Sequence, residues 1–252
     1  MVSQTLKRVK ELYEDGGITE VFRGTRDYLG LTTIHAHLIN KKSLSVDGTE
    51  VYFIIEEEED LKRARGHGEL DVLQDFVDEV RPGDTVWDVG ANVGTYSLFA
   101  AKQGASTVAF EPASDALSRL RKNIELNSVD ISVMEIALAD EEGTRNLIDT
   151  GKSGHRKLSD GDGETVKVRR GDALELEQPD VIKIDVEGAE HEVLHGMREN
   201  LSGARVCYVE LHEGVDQSSL IELLQDEGFN NLYEFGDGVV RELTLMKFRK
   251  SS

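Results

Sequence analysis

Between residues 85 and 211 short apolar runs recur, and the segments separating most of them carry apolar residues at helical spacing. The runs are Thr85 to Val89, Thr107 to Phe110, Ile131 to Ile136, Val181 to Ile184 and Val206 to Leu211. The helical segments are Thr95 to Lys102, Ser114 to Leu126, Ala189 to Leu201 and Ser218 to Glu227. Strand alternating with helix predicts a parallel sheet covered on both faces, because each helix carries the chain back to the edge where the next strand starts. In such a Rossmann-like α/β sheet, ligands bind at the carboxyl ends of the strands. A further helix at Leu70 to Val80, stopped by Pro82-Gly83, precedes the alternation. The tail NNLYEFGDGVVRELTLMKFRK predicts two more strands around Gly236-Asp237-Gly238, closing the sheet with an antiparallel hairpin. The stretch 141–179 is longer than an ordinary connection and predicts an inserted hairpin or a substrate loop.

Ahead of this body, residues 1–69 form an N-terminal helical and hairpin extension, and residues 70–252 the main domain. Helices are expected at Gln4 to Tyr13 and Ile18 to Leu29, split by Gly16-Gly17. Ser43 to Val46 and Thr49 to Ile55 flank Asp47-Gly48, a pair that tolerates positive φ, so a hairpin is expected there. The acidic run EEEED at 56–60 and the basic cluster LKRARGH at 61–67 are read as solvated surface.

Acidic residues outnumber basic ones 49 to 29 in the 252-residue chain, a net charge of −20 spread along its length. Such a surface repels the phosphates of nucleic acids and anionic lipids, so neither is an expected partner. It suits a protein held in concentrated salt, where screening relieves self-repulsion, and a halophilic source is expected. The one cysteine, Cys207, cannot form an internal disulfide and sits in the apolar run VCYVEL, which fits a reducing interior. No stretch reaches the ~20 apolar residues of a membrane span, and the first residues lack the apolar core of a secretion signal. The expected location is the cytoplasm, with no integral membrane segment; a homo-oligomer stays open.

The run TVWDVGANVGTYSLFAA places a strand ending near Asp88 ahead of Gly90, Asn92 and Gly94, with a helix behind them. Glycines let a backbone turn tightly against a ligand, and a helix start presents free N–H groups. Asn92 stands where the dinucleotide fingerprint needs its second glycine, which speaks against a pyrophosphate, and Asp88 suits a cationic ligand. Glu111 ends the next strand, where an acid can accept from both hydroxyls of a ribose.

These residues, with FEP at 110–112, NIELN at 123–127, IKIDVEGAE at 182–190 and VELH at 209–212, resemble the FkbM family of S-adenosylmethionine-dependent methyltransferases over roughly residues 70–215. The resemblance implies a class I methyltransferase fold, a seven-stranded sheet of order 3-2-1-4-5-7-6 with strand 7 antiparallel. It implies S-adenosylmethionine held near Gly90, Asn92 and Gly94 with its ribose on Glu111, and methyl transfer to an oxygen of a sugar or other small acceptor. It also places Asp140 near the adenine.

Methyl transfer to an unactivated hydroxyl needs alignment and a base for the proton. Asp185 comes directly off the strand VIKI into the crevice and is the expected base, with Glu187 or Glu190 orienting it or the acceptor. The alternative for Asp185 and Glu187 is cofactor binding or helix capping. His212, ending the next strand, is the alternative base. These groups could hold a divalent ion, but the resemblance requires none and no metal is expected. Lys183 is placed on the opposite face, with a buried salt bridge as the alternative. HEVLH at 191–195 matches a zinc-protease pattern, yet Ala189, Val193, Met197 and Leu201 form the apolar stripe and turn His191 and His195 toward solvent. The competing functions are a nicotinamide-dependent oxidoreductase and a non-catalytic binding module on the same sheet.

Overall fold

The computed structural model describes residues 41–56, 60, 70–149, 156–159, 161–212, 214–235 and 244–251. The expected helices before residue 40, the LKRARGH cluster and the turn around Gly236-Asp237-Gly238 lie outside them. Strands β1 (Lys41–Val46) and β2 (Thr49–Ile54) pair antiparallel around Asp47 and Gly48. Their φ values of 45° and 81° are both positive, as a two-residue hairpin turn with the right twist requires. The hairpin buries Leu44, Val46, Val51 and Phe53 against helix α1 (Leu70–Glu79) and its neighbours, within one apolar cluster that includes Phe76 and Tyr208.

The body then follows the alternation. Strand β3 (Thr85–Val89) leads to α2 (Thr95–Lys102), β4 (Ser106–Phe110), α3 (Ser114–Asn127) and β5 (Ser132–Met134). Two asparagines on α3 hold the hairpin in place: Asn123 Oδ1 accepts from Ile54 N at 2.9 Å, and Asn127 Oδ1 accepts from Tyr52 N at 2.8 Å.

The long stretch after β5 forms its own four-stranded sheet. Strands β6 (Ala137–Leu138), β7 (Gly143–Asp149), β8 (Arg156–Ser159) and β9 (Glu164–Arg169) run in the order β6-β9-β7-β8. Leu147 and Val166 pack on Ala113 and Ala116 at the start of α3, and Arg156 makes a two-pronged bond to Asp115 at 2.5 and 2.8 Å. The insertion therefore sits over the loop that follows β4, beside Glu111.

The chain returns through β10 (Val181–Ile184), α4 (Glu190–Gly196), α5 (Arg198–Gly203), β11 (Val206–Leu211), α6 (Gln217–Asp226), β12 (Phe229–Phe235) and β13 (Thr244–Lys250). The seven-stranded sheet has the order β12-β13-β11-β10-β3-β4-β5, with β13 antiparallel to both neighbours and the pairs from β11 to β5 parallel. This is the expected 3-2-1-4-5-7-6 arrangement. Each central strand is buried on both faces, which is why β3, β10 and β11 are apolar almost throughout.

Three local readings change. The single helix expected over Ala189 to Leu201 is interrupted at Met197, whose φ of −133° is not helical. At Gly196 the backbone passes so close to Ala139 that an added β-carbon would lie 1.9 Å from its carbonyl oxygen, and the chain bends at that contact. The strand expected over Ile131 to Ile136 shortens to Ser132–Met134. Asp60, read as solvated, is 3% exposed and pairs with Arg119 at 3.2 Å, because a charge brought inside must meet an opposite one.

Candidate active site

The turn after β3 is built on three residues in the left-handed region, Gly90 at φ 83°, Asn92 at 51° and Gly94 at 91°. Gly90 N and Ala91 N donate to Phe110 O at 2.9 and 3.0 Å, which ties the turn to the end of β4. Asn92 N then donates to Glu111 Oε2 at 2.7 Å, while Ala113 N donates to Oε1 at 2.8 Å. Beneath the turn Asp88 is 1% exposed, and its Oδ2 accepts from both Ser97 N at 2.9 Å and Ser97 Oγ at 2.5 Å. Asp88 therefore braces the first turn of α2, a role that its place at the strand end does not announce. Burial pushes Asp88 up to about 6 and Glu111 up to about 7, against the lowering effect of the N–H and hydroxyl groups that donate to them.

The second half of the site starts one residue past β10. Asp185 N donates to Val89 O at 2.9 Å, extending the parallel pairing to the lip of the sheet. Its side chain is 38% exposed, and Oδ2 lies 3.8 Å from Lys183 Nζ. Lys183 is fully buried, with Nζ 3.5 Å from Glu210 Oε2 and 5.0 Å from the centre of the Tyr96 ring. The expectation that Lys183 faces away is corrected. Residues two apart on a strand share a face, so Lys183 and Asp185 point the same way and the buried salt bridge forms.

His212 closes the arrangement. Its Nδ1 lies 2.7 Å from Glu190 Oε1, and its Nε2 lies 3.3 Å from Glu187 Oε1 and 3.9 Å from Asp185 Oδ1. Burial pulls the imidazole down, but its hydrogen bonds to Glu187 and Glu190 and the nearby charge of Asp185 outweigh that and raise it to about 10. Asp185, Glu210 and His212 bring ligand atoms within 4.8 Å of one another, a span that would fit an ion. The Lys183 ammonium already lies against both carboxylates, however, and His212 is engaged by Glu187 and Glu190, so we assign no metal to this cluster.

Of the residues singled out from sequence, the structure gathers Asp88, Gly90, Asn92, Gly94 and Glu111 around one turn and Asp185, Glu187 and His212 around one carboxylate cluster. Asp140 stands apart from these bonds: its side chain is exposed and its main-chain oxygen accepts from Arg170 at 2.9 Å. The HEVLH histidines are turned from the core as expected, with Val193, Leu194, Met197 and Leu201 fully buried, His195 exposed, and His191 Nε2 3.0 Å from Asp216 O. Lys183 takes the buried salt bridge that the sequence offered only as the alternative, and Ser97 takes a role that the sequence does not assign it. A charged residue in an otherwise apolar central strand is the signal for the first; nothing local marks the second.

A family model for the FkbM methyltransferase domain matches residues 88–230, more than half of the chain. The chain belongs to the FkbM methyltransferase family. It is 32% identical over 210 residues to the hexuronic acid methyltransferase AglP of Haloferax volcanii, covering 80% of this chain and 86% of that protein. It is 44% identical over 71 residues to the 31-O-demethyl-FK506 methyltransferase FkbM of Streptomyces tacrolimicus, 27% of each chain. Among solved structures, the FkbM methyltransferase of Methylobacillus flagellatus superposes with a TM-score of 0.51 at 17% identity, over 71% of this chain and 53% of that one, and shares its fold.

This FkbM methyltransferase therefore uses S-adenosylmethionine, and the turn fits it. Each oxygen of Glu111 accepts one backbone N–H, which leaves each a lone pair for one of two vicinal ribose hydroxyls. The nicotinamide and non-catalytic readings are set aside by the family. No described helix is long and apolar enough to cross a membrane.

Proposed function

We propose that this FkbM methyltransferase methylates a hydroxyl oxygen of a sugar or other small hydroxyl-bearing acceptor, with Asp185 as the base. S-adenosylmethionine supplies an electrophilic methyl carbon on its sulfur. Glu111 and the turn from Gly90 to Gly94 would hold it, and Asp185 would take the acceptor's proton as the acceptor oxygen forms its bond to the methyl carbon and the carbon–sulfur bond breaks, releasing S-adenosylhomocysteine. The observation that carries this reading is the difference in exposure at one strand end. The Asp185 side chain is 38% exposed, while Glu190, Glu210 and Lys183 beside it are buried. A base has to meet the acceptor; the buried groups can only hold it in place. The hexuronic acid named for AglP supports a sugar as the acceptor, the surplus of acidic side chains supports a halophilic protein with no nucleic-acid partner, and the lone buried Cys207 supports a reducing, cytoplasmic setting.

The test begins with thermal shifts in high-salt buffer. S-adenosylhomocysteine should raise Tm and NADH should not; no shift with the former would remove the cofactor reading. Transfer of labelled methyl groups to a panel of hexuronic acid glycans then identifies the acceptor. Asp185→Asn should lower kcat at least about 100-fold with cofactor affinity unchanged. Label that mild alkali releases would place the methyl on a carboxylate, which needs no base, and would remove Asp185 from that role.

A further inference from the structure

Glu190 occupies an uncommon place for an acid. It opens α4 beside the fully buried Val193 and Leu194 and is itself 0% exposed. A carboxylate removed from water is strongly unfavourable unless an opposite charge meets it. Its Oε1 lies 2.7 Å from His212 Nδ1, the length of a charge-assisted bond, and accepts from Gly188 N at 3.4 Å. Its Oε2 has no hydrogen-bond partner among the described residues.

We propose that Glu190 is a positioning residue that keeps His212 an imidazolium, so that the histidine aims the Asp185 and Glu187 carboxylates and is not itself the base. The inference rests on Asp185 being the base of the methyl transfer. It follows from counting hydrogens. With Glu190 ionised, its Oε1 can only accept, so Nδ1 must carry a hydrogen to meet it. A neutral ring would then present a bare lone pair at Nε2 to Glu187 at 3.3 Å and Asp185 at 3.9 Å, which repels both. Only a ring protonated at both nitrogens satisfies all three acids. The charged groups around it are Glu190 from the first turn of α4 and Asp185 and Glu187 from the loop after β10. Lys183, a cation like the imidazolium, is held by Glu210 on β11. With Lys183 near Oδ2 and His212 near Oδ1, the Asp185 carboxylate stands between two cations that fix its direction.

The experiment is a pH titration of the imidazole nitrogens by NMR on the full-length protein in high salt, with His212 assigned by the resonance lost in His212→Gln. In the wild type, His212 should keep imidazolium shifts from pH 6 to 8.5. In Glu190→Gln, which keeps the shape and removes the charge, its proton affinity should fall at least tenfold. A wild-type midpoint near 6.5, or an unchanged midpoint in Glu190→Gln, overturns the proposal. If Glu190→Gln does not fold, the wild-type titration still decides the charge. Glu190→Asp, which draws the carboxylate back, then replaces it, with a fall of at least threefold expected and no fall overturning the role of Glu190. Binding of S-adenosylhomocysteine is measured in the same samples. Its absence overturns the methyltransferase reading whatever His212 does, whereas normal binding with an ordinary His212 overturns only the pairing of Glu190 with an imidazolium.

Discussion

The carbonyl oxygen of Asp185 occupies the space that a side chain on Gly90 would need: a β-carbon built there lies 1.9 Å from that oxygen. The glycine turn and the strand end bearing Asp185 are therefore in backbone contact. Gly90 also has a φ of 83°, which L residues resist. Gly90→Ala should destabilise the fold by about 3 kcal/mol or more, through strain and overpacking together. Urea denaturation measures it, and a loss under about 1 kcal/mol would mean that the two loops can part without harm.

Glu111 gives the site a pH dependence of definite sign. Burial raises it to about 7 and Asp88 to about 6, so the folded cofactor-free protein retains protons that the unfolded chain releases at lower pH. These two groups favour folding below about pH 4, and that stability is lost as the pH rises to about 7. His212 has the same direction over a higher window: its contribution is complete below about pH 6.5 and is lost as the pH rises through about 10. Ribose hydroxyls held by Glu111 would donate to its ionised form, so S-adenosylhomocysteine should bind with proton release. Affinity should be about tenfold tighter at pH 8 than at pH 6, and Glu111→Gln should abolish the difference. Calorimetry in buffers of different ionisation enthalpy reads both effects; a flat affinity in the wild type would remove Glu111 from the ribose site.

Asn123 links three parts of the molecule from a position only 1% exposed. Its Oδ1 accepts from Ile54 N in the hairpin, and its Nδ2 donates to Val93 O in the cofactor turn at 2.9 Å. Removing it strands a donor and an acceptor in the interior, each worth about 1–3 kcal/mol. Asn123→Ala should therefore cost about 2–6 kcal/mol and weaken S-adenosylhomocysteine binding as well. If stability fell while cofactor affinity held, the hairpin would be bracing α3 alone.

The elements and their alternation were legible in the residues alone. Thr85–Val89, Val181–Ile184, Val206–Leu211 and Thr95–Lys102 stand where the pattern puts them, because apolar periodicity is a property of residues within about four positions of one another. The glycine turn and Glu111 could be read for the same reason: each marks its own place at a strand end. Which side chains meet was left to the folded arrangement. Lys183 faces Glu210, His212 meets Glu190 from 22 positions away, and Asn127 bonds Tyr52 across 75. The break at Met197 comes directly after Gly196, which lies against Ala139. The pairings of Lys183 and His212 follow from strand order, which sets β10 beside β11 and β3, and a buried charge takes its identity as strut or anchor from the neighbour that order supplies.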